Sequence, residues 1–151
     1  MLLHHRPELN AQVNATGDTA LILSICYGHA AVTECLLEAG ANPNVQSLHG
    51  KTAVFYAASR GHLHTLTKLV QHGGLVNMLT VERATPLMAA AKAGHVPVVD
   101  YLLSQGASID ARDNSGKSAL MLAVWHEKTE VTLPHFPISL SLSLSDRKSV
   151  V

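Results

Sequence analysis

The sequence predicts an all-α solenoid, in which short helix-turn-helix units stack side by side and bury a core between neighbours. The first observation is a fixed interval of 33 residues between like residues at several places: Thr19, Thr52 and Thr85; Gly28, Gly61 and Gly94; Gly40, Gly73 and Gly106. Such a period is typical of stacked repeats. The second observation is that the apolar stretches between these marks are too short to form stable isolated helices in water. Neighbouring units must therefore cover them.

The stretch from Ala84 to Asp110 shows how one unit is built. Thr85 offers a hydroxyl for capping, and Pro86 suits the first turn of a helix because its missing N–H costs nothing there. Gly94 ends this first helix. The second helix has one apolar face, and Gly106 stops it. That face consists of residues at three- and four-residue spacing: Val98, Val99, Leu102 and Leu103.

Taken in order, the chain divides into units of similar content. Residues 1–9 are expected to form the end of a partial upstream repeat. The region 10–131 is predicted to hold three full repeats and an incomplete fourth: 10–43, 44–76, 77–109 and 110–131. The fourth loses register after Trp125, because Glu127-Lys128 stands where the other repeats have Gly-His. Residues 132–151, with an alternating Ser/Leu run, are expected to be a disordered tail; a truncated or alternatively spliced form is one explanation for the broken repeat.

The repeated marks resemble the ankyrin repeat, whose pattern runs Gly-x-Thr-Pro-Leu-His, then Ala-Ala, Gly-His, a Val/Leu helix and Gly-Ala. The resemblance covers about Asn10 to His126, and it implies hairpin turns that join successive helix pairs. Two departures stand out. Arg83 replaces a turn glycine that the other repeats keep, so this turn is either strained or of another type. The histidine after Thr-Pro-Leu is replaced throughout by apolar residues: Ile22, Phe55, Met88 and Met121.

Composition narrows the class of function. Eleven basic and eleven acidic residues give a net charge of zero, which argues against nucleic acid or an anionic membrane as the partner. No apolar run is long enough for a membrane span. The apolar stretch at the start, Met1 to Leu3, is too short for a signal peptide. Cys26 and Cys35 do not form a disulfide framework, so we expect reduced thiols and a cytoplasmic or nuclear protein.

Ten histidines invite a metal-binding interpretation, which their spacing disfavours. His29, His62 and His95 lie on successive repeats, about 10 Å apart by the packing distance of helices, too far to share one ion. No phosphate-binding loop, serine nucleophile motif or metalloprotease helix is present. We therefore expect no cofactor, no metal and no enzymatic activity.

The resemblance implies a scaffold that binds a partner protein through a concave face made of hairpin turns and first-helix ends. The chain is expected to be a monomer that tends to aggregate at its C-terminal end. The residues expected to contact the partner are Asp18, Tyr27, Gln46, Leu48, His49, Lys51, Arg60, Leu79, Glu82, Arg83, Lys92, Arg112, Asn114, Lys117 and Trp125.

Two alternative functions remain open at this point. In the first alternative, the chain is a structural piece of a larger ankyrin array, as in a channel or a ubiquitin-ligase adaptor. In the second, it is the substrate of an asparaginyl hydroxylase. The second alternative depends on Asn44 and Asn77, each of which follows a leucine, Leu36 or Leu69, by eight residues.

Overall fold

The computed structural model describes residues 6–128 and 130–131. Over these residues it is all-α, as predicted, and the only strand-like pairing is an isolated bridge between Gln12 and Thr19. The helices are α1 (Arg6–Leu9), α2 (Ala20–Cys26), α3 (Ala30–Glu38), α4 (Ala53–Arg60), α5 (Leu63–Gln71), α6 (Pro86–Ala93), α7 (Val96–Ser104) and α8 (Ala119–Trp125).

The helices pack in two rows. The first helices of the repeats form one row, α2-α4-α6-α8, and the second helices form the other, α3-α5-α7. In repeats one to three the first helix also packs against the second helix of its own repeat, α2 against α3, α4 against α5 and α6 against α7. None of the helices described combines the length and the apolar character that a membrane crossing requires.

Capping explains why every first helix begins at the same repeat position. A hydroxyl before the helix accepts a hydrogen bond from the N–H three residues further on, at 3.2–3.3 Å. These caps are the residues of the 33-residue series: Thr19, Thr52, Thr85 and Ser118. In repeat three the Met88 sulfur also lies 3.5 Å from the Thr85 N–H, so an apolar side chain occupies the place of the family's histidine.

The core lies between the two rows and is best covered in the middle of the stack. Leu69 and Leu102 are completely buried, as the apolar spacing predicts. Leu36, at the same repeat position, is only half-buried, and Leu37 is the buried leucine of α3. Among the described residues α5 lies between α3 and α7, whereas the only helix upstream of the α2-α3 pair is the four-residue α1. Leu36 is therefore less well covered than Leu69 and Leu102, although it packs against the edge of the core.

Asparagines at the start of repeats two and three bond to the loop that ends the same repeat. The Asn44 amide donates to Gly73 O at 2.9 Å, and its carbonyl oxygen accepts from the Leu75 N–H at 2.9 Å. Asn77 repeats the arrangement with Gly106 O at 3.1 Å and the Ser108 N–H at 2.8 Å. The amide nitrogen and the amide oxygen of each asparagine are therefore both engaged within the fold.

Repeat four departs from the predicted loss of register. Glu127 takes a left-handed conformation (φ 58°), as glycine does at the same position in the other repeats. The Lys128 N–H donates to Ala123 O at 2.7 Å, matching the bond from the His95 N–H to Ala90 O at 3.0 Å. Val131 is helical and fully buried. The backbone therefore keeps the repeat to Val131, because packing beyond the turn compensates for a left-handed non-glycine residue. The predicted tail, 132–151, lies outside the described residues.

Candidate functional site

The hairpin turns form a ladder along one side of the stack. The Leu48 N–H donates to Thr16 O at 3.0 Å, and the Val81 N–H donates to His49 O at 3.1 Å. The Asn114 N–H extends this series by donating to Glu82 O at 2.9 Å. Each hairpin tip is thus held by backbone bonds to the tip of the preceding repeat. We call this side, together with the exposed residues at the C-terminal ends of α2, α4, α6 and α8, the hairpin face.

The turn that contains Arg83 keeps the geometry of its glycine counterparts. Arg83 has φ 62°, close to φ 73° at Gly50 and φ 76° at Gly116. The Arg83 N–H donates to Thr80 O at 2.9 Å, as the Gly50 N–H does to Ser47 O at 2.8 Å. The turn has not changed type, so the strained alternative of the sequence prediction is the correct one.

Large apolar side chains are exposed at the hairpin tips. Leu48 and Val81 occupy the same repeat position, and their exposed fractions are 65% and 63%. Leu79 lies two residues before Val81 and is 37% exposed. Apolar side chains grouped on one side of a stack are a common feature of protein-binding surfaces.

The C-terminal ends of the first helices add aromatic and basic groups to the hairpin face. Tyr27 is 73% exposed and stacks on His29 with a ring-centroid distance of 6.3 Å. Trp125 is 64% exposed, and the Lys117 ammonium lies 4.7 Å from its ring centroid. This cation–π contact joins a hairpin to a first helix and fixes one side of the indole, while leaving most of the ring accessible.

A second cation–π arrangement joins the hairpin and the first helix of repeat two. The Lys51 ammonium is 5.6 Å from the Phe55 ring centroid and 5.7 Å from that of Tyr56. Burial raises the pKa of the Tyr56 phenol, and the neighbouring Asp18 and Cys26 raise it further. Sequence reasoning missed Tyr56 as a surface residue, although it precedes Arg60 by four residues and so shares its side of α4.

The expected partner-contacting residues differ in how accessible they are. Lys51 and Lys117 are half-buried, and the following are exposed: Tyr27, Gln46, Leu48, His49, Arg60, Leu79, Glu82, Arg83, Lys92, Arg112, Asn114 and Trp125. Three of the exposed side chains already bond to the backbone of the hairpins. Gln46 donates to Leu79 O at 3.0 Å, Arg112 to Gly116 O at 2.9 Å and Asn114 to Val81 O at 3.3 Å.

Asp18 is the exception to the expected exposure. It is only 8% exposed, and its carboxylate accepts hydrogen bonds from Asn14 and Thr16. The hairpin of repeat one has one more residue than that of repeat two, and these two side chains belong to the longer loop. Asp18 therefore organises its own turn and is buried, unlike the other residues of the predicted contact set.

The histidines after the inter-helix glycines differ in their surroundings. The His95 Nε2 lies 3.1 Å from Ser59 O, which links repeat three to repeat two. His29 is exposed beside Tyr27. His64, two residues after His62, forms a hydrogen bond of 2.8 Å with Glu34 on the second-helix side. In the part of the chain that the structure describes, no group of three or more His, Cys, Asp or Glu residues could hold a metal ion.

Comparison with known protein families agrees with this architecture. A family model described as "Ankyrin repeats (3 copies)" matches residues 1–80 and 74–133. The matches span most of the chain and include every repeat described above. Ankyrin repeats are generally protein–protein interaction modules and are typically non-enzymatic. With its capped helix pairs, hairpin ladder and family match, the chain belongs to the ankyrin repeat family.

Proposed function

We propose that the protein is a cytoplasmic or nuclear scaffold that holds a partner protein on its hairpin face. The observation that carries the proposal is that exposed anchors of several kinds lie on this one side. Leu48 and Val81 present aliphatic groups at the tips, and Tyr27 and Trp125 present rings at the helix ends. Trp, Tyr and Arg are the residue types that contribute most to binding energy in protein interfaces.

The ladder of tips supports the proposal because it limits the entropy lost on binding. Each tip is bonded to the preceding one, and side chains such as Gln46 and Asn114 add further bonds between repeats. A surface that is ordered before the partner arrives loses less conformational freedom when it forms a complex.

The test is affinity capture from cells with the full chain and two double variants. Leu48→Asp with Trp125→Asp places two negative charges among the exposed apolar anchors. The control, Gln71→Glu with Gln105→Glu, adds the same charge at exposed positions that follow or end the second helices. We expect partners captured by the wild type to be lost only with the first pair. Equal capture by all three proteins would place the binding site elsewhere.

A further inference from the structure

The charged residues of the described chain are distributed unequally between the two sides of the stack. The hairpin face carries six basic residues: Lys51, Arg60, Arg83, Lys92, Arg112 and Lys117. On the second helices α3, α5 and α7 and the loops that follow them the balance is reversed, because Lys68 is the only Lys or Arg in those segments. The acidic residues there are Glu34, Glu38, Asp100 and Asp110.

The hairpin face has three acidic residues, Asp18, Glu82 and Asp113, against its six basic ones. Asp18 is buried within its own turn. The Asp113 carboxylate accepts from the Ser115 and Lys117 N–H groups, both at 2.9 Å, so it serves the turn of repeat four. Glu82 is left as the exposed carboxylate on this side. The zero net charge of the whole chain therefore hides a basic face.

Three of the cations on this face have no intramolecular counter-ion among the described residues. Arg60, Arg83 and Lys92 are exposed, and no described carboxylate lies within 4.0 Å of their charged groups. The contact between the His64 ring and the Glu34 carboxylate, at 2.8 Å, belongs to the other side. Unpaired charges of one sign on one surface steer a partner of opposite charge and determine its orientation.

We propose, building on the function proposed above, that the partner segment held by the hairpin face is an acidic stretch of polypeptide. Its carboxylates would pair with Arg60, Lys92 and Arg83. An aromatic or branched aliphatic residue within the stretch would pack against Leu48 and Val81. These apolar tips favour a polypeptide over a nucleic acid, because a phosphate backbone has no apolar side chains to cover them.

The experiment is a selection of short random peptides, displayed on phage, against the full-length protein. We expect the enriched peptides to be negatively charged and to contain an aromatic or branched aliphatic residue. A synthetic copy of the best peptide should lose at least about tenfold in affinity with Arg60→Glu and Lys92→Glu together. Its affinity should also fall between about 50 and 300 mM NaCl, since salt screens exposed charges. The Gln71→Glu and Gln105→Glu control should bind it like the wild type.

The outcomes separate this inference from the proposed function. Suppose that the enriched peptides are neutral or basic, and that Leu48→Asp with Trp125→Asp abolishes their binding. This result would support the hairpin face as the binding site and overturn the proposal of an acidic partner. Peptides insensitive to both hairpin-face variants would overturn the two proposals together. A failure to enrich any peptide would reject the acidic segment, while the capture experiment decides separately on the function. Binding of oligo(dT) that is equally tight and equally sensitive to Arg60→Glu and Lys92→Glu would assign the face to phosphates instead.

Discussion

The two junctions on either side of repeat two use the same backbone turn with different side-chain contacts. Between repeats two and three the His95 ring lies over Gly61, so that an added Cβ there would be 2.7 Å from Nδ1. Between repeats one and two nothing lies within 4 Å of the same point on Gly28. A cleft of about 280 Å³ is present at this junction, lined in part by Gly28, Thr33 and His62.

This comparison shows that a periodic sequence does not guarantee periodic contacts. Gly28-His29, Gly61-His62 and Gly94-His95 are identical pairs, and the three glycines share a left-handed conformation with φ 74–80°. Only at the second junction does a histidine ring cover the glycine of the preceding repeat, while Lys128 does so at the third. Beside the first junction, the cleft is also lined by two buried hydroxyls of repeat one, those of Ser24 and Thr33, which lie 2.7 Å apart. The junctions should therefore differ in stability.

The largest effect should come from a core leucine at the centre of the stack. Leu69→Ala should lower the free energy of unfolding by about 2–5 kcal/mol, because the side chain is completely buried and its removal leaves a cavity. Leu36→Ala is the matched change on the half-buried face of α3 and should cost less. Urea unfolding followed by circular dichroism measures both. Equal losses would mean that the two positions are equally well covered.

The histidine rings test the junctions directly. His95→Ala should cost about 1–2 kcal/mol, from one hydrogen bond to Ser59 O and the contact with Gly61. His62→Ala, at the junction with the cleft, should change stability by only a few tenths of a kcal/mol. Thermal unfolding of the two variants gives the difference. If His62→Ala lowers the melting temperature as much as His95→Ala does, the His62 ring stabilises the first junction and the predicted difference is wrong.

Arg83 probes the strain in the hairpin at the second junction. A non-glycine residue in the left-handed region costs about 1–2 kcal/mol, and glycine avoids this at the expense of greater unfolded-state entropy. Arg83→Gly should therefore raise the free energy of unfolding by about 0.5–1 kcal/mol. Gly116→Ala is the reverse control, because nothing lies within 4 Å of an added Cβ and only the backbone strain changes. A destabilised Arg83→Gly protein would show that the arginine side chain stabilises the fold by more than its strain costs.

The sequence predicted the repeat itself well, because caps and glycines act locally. Thr52 and Thr85 cap the helices where the 33-residue spacing placed them. Two features could not be predicted from the sequence, because they depend on contacts with residues elsewhere in the fold. Asp18 is buried in a hairpin whose extra residue changes how the side chains of the loop bond to each other. Glu127 keeps a glycine-like turn that its side chain alone would disfavour, and Val131 is buried beyond it.

The smallest effect should be a pH dependence at the first junction. Burial is the main cause that raises the pKa of the Tyr56 phenol above its ordinary value of 10.0, and Asp18 and Cys26 of repeat one add to it. A raised pKa means that the folded state favours the protonated phenol. The stabilisation is therefore fully present below pH 10 and is lost as the pH rises through the folded-state pKa.

Tyr56→Phe removes the titrating group and keeps the ring beside Lys51. The melting temperatures of the wild type and Tyr56→Phe, measured between about pH 8 and pH 11, should differ by a constant amount up to about pH 10. Above that pH the wild type should lose stability faster, because ionising the half-buried phenol places a negative charge near Asp18. Parallel curves over the whole range would mean that Tyr56 titrates equally in the folded and unfolded states, and that the first junction does not constrain its ionisation.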